Sequence, residues 1–205
     1  MKWQMTTSLM VKVALLATIG FVLMQFELRL PIFPRFLALD ISDVPGLVGA
    51  VFLGPVAGVF ISLLKNLLDL LLTGSSSGGI GQFANFVIGA SLVVPIGIIY
   101  RKYSTLPGYL AGGAVGLTSM VIVACLMNYF ILLPLYSRLF MPMETILEMA
   151  NAVNSSVTNV RGLILLAIVP FNLLKGGITI FLGYLVCRAL MKSHLLKTDI
   201  ATRRA

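Results

Sequence analysis

Hydrophobic residues fall in long blocks along the chain, interrupted by short breaks rich in proline, glycine or charge. The first block, residues 9–24, reads as one membrane helix and stops before Glu27, Arg29 and Pro31. Residues 30–42, LPIFPRFLALDIS, hold two prolines that forbid a continuous helix, yet the segment is rich in Phe, Leu and Ile. An apolar loop beside a membrane is poorly suited to water, so this one is expected to pack over something, as a lid. Asp43 before Val44-Pro45 is a helix start, with Asp as N-cap and proline in the first turn.

A short second helix is expected over 44–53, ending at Gly54-Pro55, and a third over 55–72. Residues 73–81, TGSSSGGIG, are flexible by composition. The fourth helix covers 82–100 and is closed by Arg101-Lys102; the fifth begins after Pro107 and is expected to end at Leu133, where Pro134 follows. A polar stretch over 137–159 has room for a short interfacial helix around 143–150, and a sixth long helix covers 162–190 before a basic tail. Because further membrane segments follow the first, it is read as a retained helix and not a cleaved signal.

Composition agrees. Hydrophobic residues make up 59% of 205, about 121 positions, and six helices of roughly 20 residues would use about 120. Charged residues are 11% of the chain, against about 25% in a soluble domain, and the mean hydropathy is +1.02. The expected architecture is an all-α membrane protein with six transmembrane helices, residues 1–205 forming one integral membrane domain. Cys125 and Cys187 lie inside apolar runs, where they read as small buried hydrophobes; no metal or disulfide spacing is present.

The net charge of +8 is distributed as membrane proteins distribute it and does not imply nucleic acid. With six spans both termini share one side, which holds nine basic residues: Lys2, Lys12, Arg101, Lys102, Arg188, Lys192, Lys197, Arg203 and Arg204. The opposite side holds four, Arg29, Arg35, Arg138 and Arg161, together with five of the seven acids. The positive-inside rule then places both termini in the cytoplasm of a multi-pass plasma-membrane protein.

Ionisable groups at membrane depth are costly and face a cavity or a partner. Lys65 and Asp69 are four apart on the third helix and share a face, so mutual neutralisation is the expected reading. Asn85 lies near the start of the fourth helix, Asn128 near the end of the fifth, and Asn172 and Lys175 three apart on the sixth. Given the helix directions, these groups converge on one outward-facing pocket with the apolar loop above it. For each Asn, interhelical hydrogen bonding is an equally good reading. Lys175 has no acid within a turn, which favours a role in binding. Amides and one cation walled by Phe, Leu and Met suit a solute with several hydroxyls or carbonyls and a flat apolar part, and they do not resemble an ion filter or proton relay.

Gly74-Ser75-Ser76-Ser77-Gly78 matches G-x-S-x-G literally, but a nucleophile elbow needs a histidine base, and His194 lies in the cytoplasmic tail. With no phosphate-binding loop, the chain cannot hydrolyse ATP itself. Uphill transport would draw on an ion gradient or on a partner, and without a convincing internal repeat the partner is favoured. Ala14, Ala17 and Gly20 on the first helix, and Gly112 and Gly116 on the fifth, are small residues suited to a partner or to packing within the chain.

Four separated blocks then carry a family. FPRFLALDISDVPGLVGAVFLGPVAGVFISLLKNLLDLLL (33–72), FANFVIGAS (83–91), NYFILLPLY (128–136) and PFNLLKG (170–176) resemble, in order, the riboflavin-specific S components of energy-coupling factor transporters. The resemblance implies a six-helix, non-enzymatic subunit that captures riboflavin from outside as transported substrate, with no cofactor. It also implies partnership with a transmembrane coupling protein and two cytosolic ATPases, amid membrane lipids. By the motif match Asn128, Asn172 and Lys175 would hydrogen-bond the flavin, and Leu39, Asp40 and Asn85 would complete or cover the site. The family's Ala-x-x-x-Ala contact on the first helix is here Ala14 and Thr18.

Overall fold

The computed structural model describes residues 6–75 and 77–192. Lys2, Ser76, His194, Lys197, Arg203 and Arg204, on which part of the charge count and the Ser–His comparison rest, lie outside the described residues. The elements are α1 (Thr7–Met24), α2 (Val44–Phe52), α3 (Pro55–Leu72), α4 (Ile80–Tyr103) and α5 (Leu106–Met127), then α6 (Leu133–Leu139), α7 (Met143–Asn151), α8 (Val160–Leu163) and α9 (Val169–Lys192). A π turn, Asn128–Leu132, joins α5 to α6, and another, Ile164–Ile168, joins α8 to α9. Among the described residues no strand forms beyond one antiparallel bridge, Leu28 to Leu39.

Five helical segments are long and apolar enough to cross a membrane: α1, α3, α4, Leu106–Leu139 and Val160–Lys192. The expected sixth span, α2, has 9 residues, about 13 Å at 1.5 Å per residue, which is too short to cross alone. Its residues from Val44 to Val51 are all buried, so α2 is a half-helix enclosed by protein. It can be enclosed because its neighbours are small: a Cβ on Gly58 of α3 would come 2.7 Å from the Ala50 Cβ, and one on Gly97 of α4 2.9 Å from the Ala50 carbonyl. The α2–α3 turn requires glycine, since Gly54 has φ 113° and lies against the Arg101 guanidinium at the end of α4. The turn therefore sits at the basic end of α4, and α2 begins about half-way up the bundle.

Pro134 does not end the fifth helix. The Leu133 N–H bonds the Asn128 carbonyl five residues back, and the Val169 N–H bonds Ile164 in the same way ahead of Pro170. A proline lacks the N–H and crowds the carbonyl four residues earlier; one wide turn just before it relieves both conflicts and the helix continues. Gly112 and Gly116 pack within the chain, where added Cβ atoms would come 3.0 Å from the Ile96 Cα and 2.5 Å from the Leu92 carbonyl of α4. Ala17 and Gly20 are likewise buried, whereas Ala14 and Thr18 lie on an open face of α1 beside Val11, Leu15 and Ile19.

The core follows the same elements. Leu47, Val48 and Ala50 of α2 pack with Leu92, Val93 and Ile96 of α4 and with Cys187, which is buried; Cys125 is half-buried, and both thiols are free. A second cluster joins Ile146 and Ala150 of α7 to Leu163, Ala167 and Ile168, so the short amphipathic helix expected around 143–150 is present and packed onto the bundle. Residues 73–81, expected to be flexible, are tied down at both ends. Ser75 Oγ donates to Gln82 Oε1 at 2.9 Å and accepts from the Gly79 N–H, and Ser77 Oγ accepts from the Gly81 N–H at 3.1 Å.

Candidate functional site

The chain between α1 and α2 leaves the last turn of α1, doubles back through the Leu28–Leu39 bridge with N–H···O distances of 2.7 and 2.8 Å, and descends to Asp43. Phe33 sets its ring edge against Phe171 of α9, centroids 5.3 Å apart, and Leu39 joins the same cluster. The expected lid is thus an apolar strap held onto α9. Its Phe36, Leu37 and Ala38 form one wall of a cavity of ≈ 250 Å³.

Beneath the strap lies a buried network of two aspartates, a serine and two lysines. Lys175 Nζ of α9 donates to Asp40 Oδ2 at 2.8 Å. Asp40 Oδ1 accepts from the Ser42 N–H at 2.9 Å and from the Ser42 hydroxyl. Lys65 Nζ of α3 donates to Ser42 Oγ at 2.5 Å and to Asp43 Oδ1 at 2.6 Å. Every member is at least nine-tenths buried, a placement that is stable only because the charges cancel in pairs and are hydrogen-bonded. Burial pushes the Asp40 carboxyl up, but the Lys175 and Lys65 ammoniums outweigh it and hold the group well below the usual carboxylate range.

One sequence reading is corrected here and one refined. Lys65 does not neutralise Asp69: it reaches the other way, to Asp43, while Asp69 accepts from Gln25 Nε2 and Gln82 Nε2, each at 2.9 Å. Asp43 does hold the N-cap position of α2 ahead of Pro45, but its side chain makes no capping hydrogen bond and is taken by Lys65. Spacing of four residues finds neighbours on one helix; it cannot see a carboxylate delivered by a descending loop.

The cavity lies at the end of the bundle where α4 begins, α5 ends and α9 begins. Asn85, Asn128, Asn172 and Lys175 all line it, with Ile88, Met120 and Phe171 as apolar neighbours. Asn128 Nδ2 donates to the Ala124 carbonyl and Asn172 Nδ2 to the Ile168 carbonyl, each at 2.8 Å. Each amide is thereby held by its own helix with its Oδ1 directed away from that bond, available as an acceptor. The Asn85 Oδ1 is buried without a hydrogen-bond partner. Both π turns belong to this site: Asn128 opens the first, and Ile168, which fixes Asn172, closes the second.

Of the six residues singled out in the sequence, four therefore share the cavity wall. Asp40 stands behind Lys175, and Leu39 packs in the strap. Asp43, Gly89 and Tyr136 also line the cavity and were not singled out. For Asp43 a signal existed: two lysines at depth call for two acids, and Asp40 and Asp43 stand together just before α2.

Chemically the site offers amide donors and acceptors, one ammonium and apolar walls, with formal charges that sum to zero across Asp40, Asp43, Lys65 and Lys175. That suits a neutral, flat solute with several carbonyls or hydroxyls. Among the described residues, no group of three or more His, Cys, Asp or Glu could hold a metal ion.

Comparison with known proteins identifies the family. Residues 8–187 match the family model of the ECF transporter substrate-specific component. The chain is 35% identical over 181 residues to the riboflavin transporter RibU of Staphylococcus aureus, covering 88% of this chain and 89% of that one. It is 30% identical over 168 residues to the riboflavin transporter FmnP of Bacillus subtilis, covering 82% and 83%. A solved structure of the S component of a bacterial ECF transporter superposes with a TM-score of 0.70 at 33% identity, over 90% of this chain and 95% of that chain.

Proposed function

The chain belongs to the family of ECF transporter substrate-specific components, and on that premise we propose that it is the multi-pass membrane subunit that captures riboflavin for import. The observation that carries the reading is the cavity itself: Asn85, Asn128, Asn172 and Lys175 converge in one apolar-walled space beneath the strap. Riboflavin is neutral, joins a flat ring system to a polyhydroxyl chain, and finds there apolar walls for the ring and hydrogen-bonding groups for its carbonyls and hydroxyls. It is bound as cargo, with no chemical step.

The arrangement in the membrane follows. α2, with its buried surroundings, serves as the sixth helical segment, so that both termini are cytoplasmic and the cavity faces outward. Energy comes from an ECF module, a transmembrane coupling protein with two cytosolic ATPases, and the open Ala14–Thr18 face of α1 is a candidate contact for it. Leu39 and Asp40 act from the strap, Leu39 by packing it closed and Asp40 by holding Lys175.

The test is to purify the chain in detergent from cells grown in rich medium, denature it, and record the spectrum of what is released. A stoichiometric yellow, green-fluorescing compound is expected. A colourless preparation that also leaves the fluorescence of added riboflavin unquenched would refute the reading.

A further inference from the structure

Asp43 has a hydrogen-bonding capacity that its ion pair leaves unused. Its Oδ1 takes the Lys65 ammonium at 2.6 Å, while Oδ2 is buried without any hydrogen-bond partner. The residue is 1% exposed and lines the cavity. Two neighbouring donors are engaged elsewhere. The Ser42 hydroxyl donates to Asp40. Lys175 Nζ stands 3.8 Å from Oδ2, beyond hydrogen-bond reach, and donates to Asp40 instead. On the facing side α4 presents Gly89, where even a Cβ would come 2.5 Å from Oδ1 and 3.3 Å from Oδ2. A buried carboxylate oxygen without a donor is unfavourable, and Asp43 borders the cavity that a ligand's donor would enter.

Resting on the riboflavin reading above, we propose that Asp43 Oδ2 accepts the imide N–H of the flavin ring while Lys175 Nζ donates to the adjacent ring carbonyl. In the oxidised isoalloxazine the imide is the ring's single N–H, flanked by two carbonyls, so its rigid edge reads acceptor, donor, acceptor. The site sets an ammonium and a carboxylate oxygen side by side, 3.8 Å apart, each held by a second partner: Lys65 clamps the carboxylate and Asp40 the ammonium. A hydroxyl of the flexible ribityl chain could reach a carboxylate too, but it would not use the fixed spacing of the pair. The ring thus enters first, imide edge down, and the ribityl chain trails toward the strap.

The test compares riboflavin with N3-methylriboflavin, in which the N–H is replaced by N–CH₃, by quenching of flavin fluorescence on the full chain. Wild type is expected to bind riboflavin at least about tenfold more tightly than the methyl compound, in keeping with a charge-assisted hydrogen bond. Asp43→Asn should lose about tenfold for riboflavin and change little for the methyl compound, so that the discrimination collapses. Discrimination unchanged in Asp43→Asn, or equal affinities on wild type, overturns the assignment. Should Asp43→Asn fail to fold, Asp43→Glu keeps a charge for Lys65 while displacing the oxygens, and the same collapse is expected. If neither variant folds, the imide proton of ¹⁵N3-labelled riboflavin on wild type decides: a strong downfield shift supports the bond, and a proton exchanging as it does in free solution refutes it. A wild type that binds no riboflavin at all refutes the proposed function, an outcome read separately from the ratio.

Discussion

Lys175 and Asp40 are 135 residues apart in the chain and 2.8 Å apart in space. The contact joins the strap to the second turn of α9, and it aims the ammonium that the cavity presents. Lys175→Ala removes that ammonium and strands a buried carboxylate. Riboflavin affinity should fall by about a hundredfold, about 2.7 kcal/mol, measured by fluorescence quenching. Unchanged affinity would remove Lys175 from the site.

Asn128 and Asn172 are each fixed by a hydrogen bond to their own helix, so their substitution tests ligand contact with little effect on the fold. Asn128→Ala and Asn172→Ala should each weaken riboflavin binding by roughly tenfold, the scale of one neutral hydrogen bond in a dry site. Their thermal unfolding in detergent should stay close to wild type. A large drop in stability with affinity intact would mark these amides as packing between helices.

Gly89 and Gly177 make an internal control. A Cβ at Gly89 would collide with Asp43 Oδ1, whereas one at Gly177 meets nothing within 4 Å. Gly89→Ala should dislodge Asp43 and reduce both binding and stability. Gly177→Ala should bind normally and gain up to about 1 kcal/mol from helix propensity, read as a higher melting temperature. Equal behaviour of the two variants would contradict the tight fit between α4 and Asp43.

Because the Asp40 carboxyl is held below its ordinary value by Lys175 and Lys65, its pairing contributes fully above the unfolded value, near pH 4. The contribution is lost as pH falls through the folded range. Thermal stability in detergent should be level from about pH 5 to about pH 8 as far as this group is concerned, then decline on acidification. Asp40→Asn should start lower and show less of that acid decline. An identical acid limb in the variant would assign it to other carboxyls.

How much was legible beforehand depends on the range of the interaction. The long helices are visible as apolar blocks, and the start of α2 is visible in Asp43-Val44-Pro45. Convergence of Asn85, Asn128, Asn172 and Lys175 followed from helix direction alone, since each residue's depth is its distance from a helix end. Partners were not legible. Lys65 has an acid four residues away and pairs with another 22 residues back, because the chain from 30 to 43 descends between the helices and brings Asp43 to it, while Asp69 is taken by Gln25 and Gln82. Pro134 marks a conflict in the backbone, and the chain can answer such a conflict by ending the helix or by widening it; local composition does not distinguish the two answers. The length of α2, too short to span, becomes sensible only once its small-residue neighbours are seen to enclose it.

The two π turns have a consequence for how the long helices are written. Each adds one residue beyond the regular repeat, and one residue is about 100° of rotation. Downstream of Leu132 and of Ile168, the helix therefore presents a different side from the one an unbroken repeat would give. The second turn is a phase shift that swings Asn172 and Lys175 inward while the upstream stretch keeps its own packing against α7. Deleting one residue from Ile164–Ile168 would leave hydropathy and length almost unchanged and yet point the amide and the ammonium elsewhere.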